Sequence, residues 1–157
     1  MVPTLPGLQH PIIHPHEKRK EKMQTKAVLT LEDVKKIAAA AEAEAVANGW
    51  KVVIAICDDG GHPLWLQRLD GAAPISSHIA PQKARTAALG CRESRVYEEL
   101  INNGRTSFLS APQLEGMLEG GVNIVVDGRT IGAIGVSGVK SAEDAQIAKA
   151  GIAALGL

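Results

Sequence analysis

Between Leu31 and Asn48 the residues Leu31, Val34, Ile37, Ala38, Ala41 and Ala45 recur at helical spacing, which predicts an amphipathic helix. Thr30 is placed to cap it, Glu32 and Asp33 fall in the electropositive first turn, and Asn48-Gly49 ends it. Lys51 to Cys57 is almost wholly apolar, the pattern of a central strand covered on both faces. Asp58-Asp59-Gly60-Gly61 turns the chain into a second strand, Pro63 to Leu69. A loop over Asp70 to Pro74 leads to a second helix, from Ser76 or Ser77 to Leu89. Pro81 is expected near its first turn, because a deeper proline would break it. Ala80, Ala84, Ala87 and Ala88 give this helix a small-residue face. Ser94 is expected to cap a short third helix reaching Asn103.

Phe108 to Met117 carries no clear period, and a short strand is allowed there. The strongest pattern follows. Val122 to Val126 and Thr130 to Val136 are apolar strands joined by Asp127-Gly128, a two-residue hairpin signal. Gly132, Gly135 and Gly138 recur every third residue, which implies that a strand, a helix or a ligand comes close to the backbone there. Ser137-Gly138 ends the strand and Ser141 is expected to cap the last helix, leaving N–H groups where an anion could sit. Ala145, Ala148, Ile152 and Leu155 form that helix's buried stripe. Two-residue turns join only antiparallel strands. The expected fold is therefore α+β: an antiparallel sheet packed with helices, of the profilin or PAS general type.

Composition narrows the function classes. The chain has 157 residues, with 45% apolar and 3% aromatic content, so an aliphatic core in a single domain is expected. Seventeen basic residues balance seventeen acidic ones, which argues against nucleic-acid binding. No apolar run suits a membrane span, and the N-terminus does not read as a secretory signal. Cys57 and Cys91 are isolated, which fits free thiols in a reducing cytoplasm. Residues 1–28 read as an N-terminal extension, a flexible or intersubunit arm rich in proline and charge, and 29–157 as one domain. The extension holds His10, His14 and His16, and Met23 offers an alternative start.

Polar residues that interrupt apolar stretches gather between Arg68 and Arg85. Arg68 closes a strand, Asp70 sits in the loop, Ser76, Ser77 and His78 open a helix, and Lys83 and Arg85 lie within it. The plain interpretation is a capping serine, a surface histidine and solvated cations. The functional one is a pocket whose mouth carries Arg68, Lys83 and the helix start, suited to carboxylates. The glycine-studded hairpin, entered through Gly120-Gly121, is expected to fold toward this basic segment and enclose a cavity for acidic guests. Gln82 is the same-face neighbour of His78. Asp58-Asp59 read as turn formers and His62 as a solvated turn residue. No Gly-x-Ser-x-Gly elbow, Walker lysine motif or dinucleotide fingerprint is present.

Several blocks resemble one known family. They are Leu29-Thr30-Leu31-Glu32-Asp33, Val53 to His62, Gln67-Arg68-Leu69-Asp70-Gly71-Ala72, Ile79 to Ala87, Gly120-Gly121-Val122 and Ile131 to Gly138. In that order they resemble the small haem-binding domain of GlcG-type proteins, the secreted haem sensor HbpS and the C-terminal domain of PduO-type corrinoid proteins. The likeness spans residues 29–157. It implies a five-stranded antiparallel sheet with helices and a homo-oligomer. It also implies a small-molecule ligand, haem or a related tetrapyrrole. A histidine expected in the first helix of some haem-binding members is absent here, and Asn123 replaces an expected proline. An iron ligand would then be His78, His62, an extension histidine or a non-histidine group. Propionates would meet Arg68, Lys83 or Lys140. The alternative implied is an enzyme or accessory factor of carbon catabolism acting on a small carboxylated metabolite, with Arg68 orienting the carboxylate and His78 or Asp70 carrying the proton.

Overall fold

In a computed structural model the described residues are 23–157. His10, His14 and His16 lie outside them. The elements run α1 (Leu31–Ala47), β1 (Val53–Asp58), β2 (Pro63–Arg68), α2 (Ser76–Gly90), α3 (Ser94–Asn102), a 3-10 turn (Thr106–Ser110), β3 (Gly121–Val126), β4 (Arg129–Ser137) and α4 (Ser141–Ala153). The fold is α+β with a four-stranded antiparallel sheet in the order β2-β1-β4-β3.

The expected fifth strand is not formed among the described residues. After the 3-10 turn the chain stays irregular through residue 120 and lies on α2 instead of on the sheet edge. Pro112 removes a donor, and Gln113 adopts φ +68, which no strand permits. The Gly116 N–H donates to Thr86 Oγ1 at 3.2 Å. A side chain at Gly116 would overlap the backbone of Gln82 and Lys83.

The period-two rule sorts β1 between two layers. Ile54 and Ile56 join the main core with Val34, Ile37, Ile134 and Ile147, under α1 and α4. Val53, Ala55 and Cys57 face α2, against Ala80, Ala84, Ala87 and Ala88. Leu31, expected in the buried stripe of α1, is 61% exposed. Thr30 caps α1 in a reciprocal box: its Oγ1 accepts from the Asp33 N–H at 3.2 Å and its N–H donates to the Asp33 carboxylate at 2.9 Å.

The glycine repeat has a structural reason. A Cβ at Gly135 would overlap the Ala80 carbonyl oxygen and one at Gly121 the Lys83 carbonyl oxygen, so α2 sits directly on the sheet backbone. Asp127 and Gly128 adopt φ +49 and +73, the hairpin turn expected.

Three local expectations change. Pro81 is the sixth residue of α2, in its second turn, and the helix continues through it. Ser94 does not cap α3; its buried hydroxyl donates to the Leu118 carbonyl and accepts from the Gly121 N–H at 2.9 Å, tying α3 to β3. Ser141 is the first residue of α4 and Lys140 takes the cap position.

Candidate functional site

Lys83, Gly120 and Gly121 come together. The α2 backbone lies over Gly121, and the Lys83 side chain passes the gap left by Gly120. Its Nζ donates to the Val136 carbonyl at 3.0 Å and to Asp144 Oδ2 at 2.9 Å, both side chains being almost fully buried. Burial pushes the Asp144 carboxyl above its ordinary value, against the pull of the Lys83 ammonium. Asp144 Oδ1 also accepts from the Val139 N–H at 3.2 Å, and Glu143 accepts from the Lys140 N–H at 3.1 Å. The turn after Ser137, expected to offer N–H groups to an anion, is therefore occupied by the chain's own carboxylates.

Arg68 and Asp70 lie at the other edge of the sheet. Arg68 is on β2, two strands and about 10 Å of sheet from Val136. Its Nε and Nη2 donate to the Ala72 carbonyl at 3.1 and 2.7 Å, bracing the loop that enters α2. Asp70 is exposed in that loop. The expected single mouth of Arg68 and Lys83 is thus two separate places.

His78 is exposed on the first turns of α2. It borders an open cleft of about 370 Å³ with Ile79, Gln82, Glu115, Gly116 and Leu118. A second cleft, of about 320 Å³, lies between α2 and the β1–β2 hairpin, with Ala55, Cys57, Pro63, Leu66, Ala84 and Arg85 on its walls. Gln82 borders both. His78, Gln82 and Arg85 are spaced four and three apart, so they form one row along the outside of α2, about 10 Å long. Arg85 is half-buried, and its Nη2 donates to Gln113 Oε1 at 2.6 Å. Gln113 and the role of Arg85 escaped the sequence analysis; the seven-residue spacing from His78 to Arg85 was the available signal.

His62 stays in the first turn, where its Nδ1 lies 3.1 Å from Asp58 Oδ1. Partial burial works against ionisation of Asp58, but N–H groups of His62 and Gly60 hold its carboxyl below the ordinary value. Among the described residues no three His, Cys, Asp or Glu side chains gather to hold a metal ion. No helix among them is long and apolar enough to cross a membrane.

The family model described as "Haem degrading protein HbpS-like" matches residues 29–153. The chain belongs to the HbpS-like family. It is 56% identical over 115 residues to protein GlcG of Escherichia coli K12, covering 73% of this chain and 85% of GlcG. The crystal structure of HbpS superposes with a TM-score of 0.78 at 33% identity, covering 88% of this chain and 98% of that one. The PduOC:haem complex superposes at 0.72 with 29% identity, covering 82% of this chain and 95% of that one. In this HbpS-like chain the Gly132 to Gly138 block, prominent in the resemblance, serves the packing of α2 and β1.

Cys57 yields a test of how dry the second cleft's floor is. Burial pushes its thiol up to about 12, slightly offset by the Ala133 backbone. Native protein at pH 8 is expected to show one fast thiol toward a disulfide reagent, the exposed Cys91. Between pH 9 and about 12 the unfolded chain loses the Cys57 proton and the native chain keeps it. Stability therefore falls as pH rises through that window, by up to about 1.4 kcal/mol per unit. Cys57→Ala is expected to flatten the fall in urea denaturation; an unchanged slope refutes the assignment.

Proposed function

We propose that the chain binds haem or a related tetrapyrrole along the outer row of α2. His78 is the metal ligand and Arg85 takes a carboxylate arm. The observation that carries this is the His78–Gln82–Arg85 row, set between a mainly apolar cleft on the Arg85 side and a mixed one, with Ile79 and Leu118, on the His78 side. The His78 imidazole is exposed and has no hydrogen-bond partner among the described residues, unlike His62 on Asp58, which leaves its ring nitrogens open to a metal. A half-buried guanidinium suits a carboxylate. Ile79 and Leu118 beside His78, and Pro63 and Leu66 beside Arg85, give a flat apolar ring something to lie on.

Support also comes from the haem complex of the PduO C-terminal domain and from the family's description. Haem, when bound, supplies a redox-active iron. Lys83, Gly120 and Gly121 serve this site by fixing where α2 lies, and Arg68 by bracing the loop into it, in which Asp70 stands exposed. The row works in a homo-oligomer: Leu64 on the edge strand, outside the cleft lining, is 39% exposed, apolar surface that a second copy suits.

Hemin titration followed by absorption tests the reading. One equivalent per chain is expected to give a sharp Soret shift. His78→Ala is expected to abolish that shift, and Arg85→Ala to weaken binding about tenfold, the effect of one lost charge-assisted contact. Broad, non-saturating binding that ignores both substitutions refutes it.

A further inference from the structure

We propose that the cleft between β2 and α2 is a binding site in its own right for a small aliphatic carboxylic acid. The carboxylate sits on Arg85 and the hydrocarbon tail runs over Ala55, Cys57 and Leu66. This goes beyond the tetrapyrrole reading and does not rest on it; both use Arg85, so one ligand excludes the other.

The cleft's volume of about 320 Å³ falls in the range of small-ligand pockets. Its walls are mainly apolar, with Gln82 and Arg85 the long polar side chains among them. The contrast with Lys83 points to a missing partner. The buried ammonium of Lys83 has a carboxylate, Asp144, at 2.9 Å. The half-buried guanidinium of Arg85 has no carboxylate within ion-pair distance among the described residues, only the neutral Gln113 oxygen. One of its five N–H donors is used there. An incoming carboxylate accepts from the others in the fork geometry that arginine favours.

The guanidinium is also held in place. Gly61, at φ +76, lets the hairpin turn press on the Arg85 stem; a Cβ there would come within 3.0 Å of Cγ. A fixed cation beside a dry apolar floor loses little freedom on binding and discriminates by charge. The raised Cys57 thiol agrees with a dry floor. The expected ligand class is therefore an acid, favoured over the alcohol or amine of the same chain.

The test uses the full-length, hemin-free protein with hexanoate, hexanol and hexylamine as probes, by calorimetry and thermal shift. Hexanoate is expected to raise the melting temperature saturably, and the other two to leave it unchanged. Arg85→Gln is expected to weaken hexanoate at least tenfold, while Gln113→Ala, which frees the guanidinium, keeps or improves binding. Equal shifts from hexanol and hexanoate overturn the proposal. So does hexanoate binding unchanged in Arg85→Gln, or lost in Gln113→Ala. Hemin takes no part in these measurements, so a failed hemin titration leaves the acid site standing or falling on hexanoate alone.

Discussion

Lys83→Met is expected to lower stability by about 3–5 kcal/mol, because it strands the Asp144 carboxylate in the core. For a chain of this size that is a fall of roughly 10 °C in melting temperature. The substitution keeps most of the side-chain volume, so the loss reports charge, not a cavity. The double variant Lys83→Met/Asp144→Leu is the decisive companion. A buried ion pair replaced by apolar groups of similar size is often neutral, so the double variant is expected to recover most of the loss. If the single variant melts like the parent, the pair does not hold α2 to α4. If the double variant is worse than the single, Asp144 matters chiefly through the Val139 N–H it accepts from.

Gly135→Ala is expected to be among the most damaging one-methyl changes, with Gly116→Ala and Gly121→Ala. At position 135 the Cβ would overlap the Ala80 carbonyl oxygen and press on the Ala84 backbone nitrogen. Backbone atoms cannot swing aside, so α2 must lift from the sheet. Overpacking of this sort costs about 1–3 kcal/mol, and here the upper end is expected. Gly128→Ala separates sterics from strain. It lies in a positive-φ turn with nothing near its Cβ, so only the backbone cost of about 1 kcal/mol applies. Urea denaturation of both variants is the measurement. Gly135→Ala no worse than Gly128→Ala would mean that α2 is free to shift.

Much of the architecture was legible because its causes are local. Thr30 with Asp33, the stripe from Val34 to Ala45 and Asp127-Gly128 each determine a neighbourhood within a few residues. The fifth strand was not. Phe108 to Met117 has weak periodicity, and what decides its path is a distant contact, Gly116 on Thr86 and Gln82. Lys83 misled for a similar reason. A lysine five residues after His78 reads as a surface cation, while its partner Asp144 lies 61 positions on. The candidate site was half legible: His78 and the basic segment stood out, whereas Arg85 needed the hairpin turn packed on its stem before it stood apart from other arginines.

The way α2 is seated divides its positions into two evolutionary classes. Its inner alanines meet bare backbone, and any enlargement displaces the whole helix. Its outer row touches open clefts, so single exchanges there are expected to leave the seating of α2 intact. Relatives sharing this framework are thus free to diverge in what they capture while keeping the same scaffold, and substitutions at positions 78, 82 and 85 should track that divergence.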